Sequence, residues 1–385
     1  MPEFDVMRAG GALLCIALHA AIPYMRGSVP ELLWAVHDSR KGVIFDWIFW
    51  WLRAAQVPLF LLMSGFFTAA RLSQGDIIGF LRTRWRRLML PFLAGLALVL
   101  PILFAVWARG WVITGRATWY QVHRLRFAED IRRNLWGSAH LWYLGDLFVI
   151  SVVAALAWAG VRALRRRGNA GALSRFIAWV SSSRWGILVI VASSIAALAM
   201  NLSVLTTHRN TFMPIPWRIV YYATIFAGGI WAYRSRLTMS ALAPVAWPLL
   251  ALAAIPMAVA LRIMGASGSE PPLLSMRLAL AASLVSVTWL SLAGLVGLAW
   301  QFRGAAGRIT RTLSADAYWI YVVHLPIVGA LQIAVLGADW PASAKFTVVF
   351  TGTAILAAAS GTAVRKALRL RAARETNLSR QPSPA

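Results

Sequence analysis

Residues 88–108 read LMLPFLAGLALVLPILFAVWA, a run with no charged side chain. At a rise of about 1.5 Å per residue, some 20 apolar residues in a helix cross the ~30 Å hydrocarbon core of a bilayer. The rest of the chain repeats the pattern. Its 385 residues are 59% hydrophobic and only 13% charged, and its mean hydropathy is +0.66. Soluble domains are about 45–50% apolar and about 25% charged. This much apolar surface exceeds what one water-facing core hides, so the chain reads as an all-α, polytopic integral membrane protein.

Ten spans are expected, at roughly 9–25, 43–67, 88–108, 140–161, 186–204, 217–233, 242–262, 276–300, 315–336 and 345–364. The first and sixth are the shortest or least apolar. Glu3 and Asp5 precede the first, and Gly10, Gly11 and His19 lie in it. A cleavable leader has a basic start and a plain apolar core, so this segment is read as a retained helix. The formal net charge is +25. Its basic residues lie between apolar runs rather than on one face, which points to a lipid bilayer and not to nucleic acid. With the N-terminus inside, the inner loops and the tail carry most of the Arg and Lys, including Arg82–Arg87 and Arg162–Arg167. That bias predicts cytoplasmic termini. Residues 1–366 read as one transmembrane domain, and 367–385 as a basic, polar, disordered tail. The single cysteine, Cys15, excludes an internal disulfide.

An ionisable group at membrane depth costs about 2.5–3.5 kcal/mol on insertion scales, so each one is a candidate for function. In FDVMRAGGALLCIALH, Arg8 and His19 share a helix face, because eleven residues make three turns plus about 20°. Asp5 and Cys15 complete the stripe, with His19 about 16 Å beyond Arg8. A histidine there suits proton transfer near neutral pH; the alternative is a packing hydrogen bond. In FDWIFWWLRAAQVPLFLLMSGFF, Arg53 needs a partner such as Asp5, Asp146 or Asp316, or an anionic ligand. Ser64-Gly65 in the same span also suits close helix approach. In RTRWRRLMLPFL, the arginines Arg84, Arg86 and Arg87 read as a topology anchor or as a cradle for phosphates. In SAHLWYLGDLF, interfacial anchoring accounts for His140 and Trp142; Asp146, deeper, is harder to assign so. In LSADAYWIYVVHLPIV, Ser314, Tyr318, Tyr321 and His324 form a second polar line, read either as function or as hydroxyl packing. The chain has no phosphate-binding glycine loop, CxxC, HExxH or paired-aspartate motif. That argues against a transport ATPase, a metalloprotease or a metal-dependent glycosyltransferase. A secondary transporter remains the rival class, although no paired internal repeat supports it.

Taken in order, these islands resemble acyltransferase family 3. They are the arginine–ten residues–histidine spacing, PLFLLMSGFF, RWRRLMLP, AHLWYLGDLF and LSADAYWIYVVHLPIV. The AHLWYL island and the ten-span layout look most like the branch that decorates periplasmic glucans, the glucan biosynthesis protein C type. The resemblance implies transfer of an acyl group, acetyl or succinyl, from cytoplasmic acyl-CoA to a hydroxyl of an extracytoplasmic glycan or glucan. It also implies a bacterial inner-membrane location, acyl-CoA as co-substrate with no bound cofactor or metal, and partners in envelope-polysaccharide biosynthesis. Carried over, His19 is the essential histidine and Arg8 its partner, with Asp5 beside Arg8. Arg84 and Arg87 match the basic positions ahead of the motif proline, here Pro91; with Arg86 and Arg53 they are the expected acyl-CoA contacts. Ser64 lies in the matching SGF island, and Tyr321 and His324 at the end of the last motif. The chain departs at Asp146, where many members have a glutamate.

Overall fold

In a computed structural model, residues 1–166, 171–266 and 273–378 are described, and they contain helices and no strand. The helices that build the bundle are α1 (Pro2–Ala21), α2 (Val43–Leu72), α3 (Ile77–Arg84), α4 (Leu90–Ile113), α5 (Trp142–Arg166) and α6 (Ala172–Ser182). They continue as α7 (Gly186–Met200), α8 (Pro216–Arg234), α9 (Ala246–Ala266), α10 (Leu274–Gln301), α11 (Arg308–Val335) and α12 (Ala342–Leu378). Each expected span falls on a helix.

Among the described residues, eight helical stretches are long and apolar enough to cross a membrane. A ninth is added if Ser174–Ser182 and Gly186–Met200, bent by 104°, form one broken span. The expected sixth span, α8, falls short on apolarity. The reason lies in its packing: α8 sits against α2, α5, α6 and α7 and buries Arg218, Tyr221 and Tyr222. A helix enclosed by protein is not selected to dissolve in lipid. The lipid-facing helices show the opposite pattern. Leu98 and Ile102 on α4 are 67% and 58% exposed, which suits hydrocarbon and not water.

Two features depart from the sequence expectation. The run from Ile77 to Ile113 is one long span, interrupted by a π turn at Trp85–Met89. The turn precedes Pro91, whose ring nitrogen has no hydrogen to donate into the ladder. The last helix also continues to Leu378, past the expected boundary at 366. Its Ala, Leu, Arg and Lys are strong helix formers, so the basic stretch continues the helix instead of loosening; residues 379–385 lie outside the described ones.

Two apolar clusters fill the bundle. One joins α1, α2, α4, α11 and α12 to the 22–36 segment. The other joins α1, α2, α5, α7, α8 and α10. The segment after α1 folds back over the bundle and is clamped there. The indoles of Trp107 and Trp111 donate to the carbonyls of Leu33 (3.3 Å) and Trp34 (3.0 Å), and Lys345 Nζ reaches Asp38 Oδ2 at 2.6 Å. These clamps hold Trp34 above the end of α1.

Candidate functional site

α1 delivers His19 at its last turn, and α11 delivers His324 beside it. The ring nitrogens define the hydrogen positions. His19 Nδ1 lies 2.9 Å from the Cys15 carbonyl oxygen and 3.1 Å from His324 Nε2. A carbonyl only accepts, so His19 Nδ1 carries a proton. His324 Nδ1 lies 2.8 Å from the Tyr321 carbonyl and carries one too, which leaves His324 Nε2 as an acceptor for His19. It follows that the second ring nitrogen of His19, Nε2, holds a lone pair. Among the described residues nothing hydrogen-bonds it, and His19 lines a large cavity. The Trp34 indole stacks nearly parallel on the imidazole, with ring centres 5.9 Å apart and planes 8° apart. Gln332 Nε2 donates to the His19 carbonyl (3.0 Å) and accepts from Trp34 Nε1 through its oxygen (2.9 Å). The ring is therefore fixed from three sides.

His140 joins the same cluster. It is 6% exposed, its ring centre lies 5.1 Å from that of His324, and its Nε2 donates to the Val322 carbonyl at 2.9 Å. Tyr321 returns the contact by donating its hydroxyl to the His140 carbonyl. Just before His140, Ala139 holds φ at +46°, a left-handed conformation that costs an L-residue roughly 1–2 kcal/mol. The turn tolerates it because Asn210 Oδ1 accepts from the Ala139 N–H at 2.9 Å, and Asn210 Nδ2 donates to the Asn134 carbonyl at 2.9 Å. Interfacial anchoring thus does not account for His140, although its neighbour Trp142 does line the cavity, 4.3 Å from the Arg218 guanidinium carbon.

Cys15 Sγ, His19 Nδ1 and His324 Nε2 lie within 4.8 Å of one another, a donor set of the type zinc takes. The Cys15 carbonyl occupies the Nδ1 hydrogen of His19, so that nitrogen has no lone pair to offer in this arrangement. The cluster fits a hydrogen-bond relay.

Two cavities flank the cluster. The first, of about 960 Å³, is lined by His19, Trp34, Arg53, His140, His208 and Arg218. The second, of about 820 Å³, is lined by Arg8, Ser64, Arg84, Arg87, Tyr318 and Tyr143. The sequence-derived site residues divide between them. His19, Arg53, His140, Trp142 and Tyr321 line the first, and Tyr321 lines the second as well. Arg8 does not meet His19. It sits three turns away in the second cavity and pairs with Asp5 at 3.5 Å, and Asp5 also accepts from Ser314 Oγ at 2.7 Å. Arg53 is separated from Arg84 and Arg87 because it belongs to the other cavity. Arg86 is exposed and lines neither. Asp146 forms a buried pair with Arg218 (2.5 and 3.2 Å). Asp316 takes Arg365 and Thr362.

None of the three candidate carboxylates therefore reaches Arg53. Its guanidinium donates to the carbonyls of Leu205, at 2.5 Å, and Thr207. No carboxylate among the described residues neutralises it. Burial, with Arg53 and Arg218 nearby, pushes the His208 imidazole down to about 3, so that side chain is neutral at pH 7. Arg84 ties the second cavity to α2 by donating to Thr68 Oγ1 at 2.7 Å. Sequence reasoning missed Trp34, Gln332, Asn210 and Tyr143. Gln332 carried a usable signal, an amide in an apolar span. Trp34 and Asn210 lie in loops, where no periodicity marks them.

A family profile described as an acyltransferase domain matches residues 1–362. The chain belongs to acyltransferase family 3. No curated protein and no solved structure gives a match. The match includes every helix that contributes to the two cavities, so this acyltransferase carries its candidate chemistry wholly within the matched region.

Proposed function

We propose that this acyltransferase moves an acyl group from cytoplasmic acyl-CoA to a hydroxyl of an extracytoplasmic glycan, such as a periplasmic glucan, at the inner membrane of a bacterium. The observation that carries the reading is the lone pair of His19 Nε2, unbonded among the described residues on a side chain that lines a cavity, while the opposite nitrogen is committed to Cys15 and His324. Acyl transfer to an alcohol needs a base for the hydroxyl proton. The hydroxyl oxygen attacks the thioester carbonyl carbon as its proton passes to His19 Nε2. Collapse breaks the C–S bond, and the proton passes to the departing thiolate to give free CoA. The imidazolium formed in between is held by the His324 acceptor, the Cys15 carbonyl and the face of Trp34, whose ring attracts a cation.

The second cavity suits the donor. Arg8, Arg84 and Arg87 line it, and guanidinium forks match phosphate oxygens. Arg71 lines the same cavity, and the inside-positive bias of the loops supports a cytoplasmic side for this end. The first cavity then receives the acceptor from the other face. Arg53, which no carboxylate among the described residues neutralises, is available either to the thioester oxygen as it gains charge or to the free carboxylate of a succinyl group.

The test uses membranes containing the wild type or His19→Ala, each incubated with isotope-labelled acetyl-CoA or succinyl-CoA. Folded protein is matched by gel filtration in detergent, and label entering the glycan fraction is counted. Label with the wild type and none with the variant is the expected result, and the donor that labels identifies the acyl group. Equal label from both proteins removes His19 from the mechanism. No label from either, with donor and acceptor present, favours a transporter.

A further inference from the structure

The two cavities share Tyr143 and Tyr321 in their walls. Both rings are set edge to face, with centres 5.8 Å apart and planes at 73°. The proposed base, His19, lines only the first cavity, and the arginines suited to CoA phosphates line only the second. These two rings therefore stand in the wall between a thioester bound through its phosphates in the second cavity and His19 in the first. Tyr321 is latched in place, because its hydroxyl donates to the His140 carbonyl and His140 Nε2 donates back to Val322. Tyr143 is backed by Phe60, 6.4 Å away between ring centres, on α2.

We propose that Tyr143 and Tyr321 form a partition between the donor and acceptor chambers, and that its aperture selects the acyl group by cross-section. The selectivity half of this proposal rests on the acyl-transfer reading above; the partition itself does not. An unbranched acyl chain on the slender end of pantetheine presents a narrow profile and passes when Tyr321 leaves the His140 carbonyl. A branched or aromatic acyl group needs both rings displaced and is held back. Between turnovers the closed rings keep the two faces of the membrane separate. Both tyrosines act as specificity-determining residues, because neither supplies the proton acceptor.

The chain supplies its own reporter. Cys15 is its single cysteine and lines the first chamber only. The experiment adds a membrane-impermeant anionic methanethiosulfonate to either face of right-side-out and inside-out vesicles. It is run on the wild type, Tyr143→Ala, Tyr321→Ala and Tyr321→Phe. A second reporter, Val57→Cys in a Cys15→Ser chain, samples the same chamber from α2. An open state populated at roughly 0.1–10% leaves room for a rise of about tenfold or more when the partition is removed. The expected result is cytoplasmic-face labelling that is slow in the wild type and rises by that factor in at least one alanine variant, with Tyr321→Phe between. A smaller rise in folded variants, or equal labelling of the wild type from both faces, overturns the partition. In parallel, isobutyryl-CoA and benzoyl-CoA are compared with acetyl-CoA. The ratio for the bulky donors rises in the alanine variants if the aperture selects, and an unchanged ratio overturns the selectivity. Labelling that shows a partition while no donor acylates glycan removes the acyl-transfer reading and leaves the partition standing.

Discussion

His19 and His324 sit on different helices, and in the proposed mechanism they divide the work of one proton transfer. Removal of the base in His19→Ala is expected to lower turnover by about 10²–10⁴-fold, the usual contribution of a positioned acid–base group. His324 acts through His19, since its Nε2 accepts the Nδ1 hydrogen at 3.1 Å. A hydrogen bond to a charged group contributes about 1.5–3 kcal/mol, so His324→Ala should cost about 10–100-fold in turnover. His324→Gln, whose amide oxygen also accepts, should recover part of that loss in the same labelling assay. His208 makes a prediction about acid. Its imidazole is held down to about 3 by burial and by Arg53 and Arg218, against an unfolded value near 6.5. Below pH 6.5 the unfolded chain binds a proton that the folded chain refuses, so stability falls as pH falls toward 3. Between pH 7 and pH 5 this one group removes up to about 2 kcal/mol. His208→Asn should flatten the fall in melting temperature over that window, measured in detergent.

At the scale of the elements, α2 and α8 meet backbone to backbone. A Cβ on Gly229 would lie 2.0 Å from the Leu62 carbonyl oxygen, and one on Gly65 2.0 Å from that of Phe226. Close approach through small residues is how membrane helices gain packing contacts where the solvent is as apolar as they are. Gly229→Ala is therefore expected to lose at least about 1–3 kcal/mol through overpacking, read as a lower melting temperature and a smaller folded peak. Gly10→Ala is the matched control, because nothing lies within 4 Å of its would-be Cβ; it should hold or raise stability. Ser64, next to that contact, has a buried hydroxyl with no hydrogen-bond partner among the described residues and lines the second cavity. Of the two roles that Ser64-Gly65 suggested, Gly65 takes the close approach.

At the scale of the molecule, the Asp38–Lys345 pair joins the segment after α1 to the start of α12, with side chains 2% and 3% exposed. Breaking a buried pair by removing one partner costs about 3–5 kcal/mol, and removing both costs far less. Asp38→Asn and Lys345→Met should each lower the melting temperature, and the double variant should sit above either single one. The same clamp steadies Trp34 over His19, so the single variants should also lose turnover in protein that remains folded. The bundle makes a topological prediction as well. With α6 and α7 as one broken span and α8 counted as crossing, the passes number ten, and both ends lie on one face. Fluorescent protein fused at either terminus should fluoresce on the cytoplasmic side, and a periplasm-active phosphatase fused there should be silent.

The amino-acid sequence alone determined the membrane class, a helix at each expected span and the stripe that carries His19. These follow from local properties, namely the transfer of apolar side chains out of water and the 3.6-residue period of a helix. It also singled out His140, Asp146, Tyr321 and His324, because polar groups at membrane depth are costly enough to be noticed one by one. Pairings between helices are set by long-range packing, and no local period encodes them. Only the tertiary structure showed that Arg8 and His19, on one face of one helix, open into different cavities. Only there did His324 and His140 become neighbours of His19, Arg53 lose its expected acidic partners, and Asp146 find Arg218. The two cavities, one lined by His19 and the other by Arg8, Arg84 and Arg87, with Tyr143 and Tyr321 in both walls, likewise exist only once α1, α2, α5 and α11 are packed together.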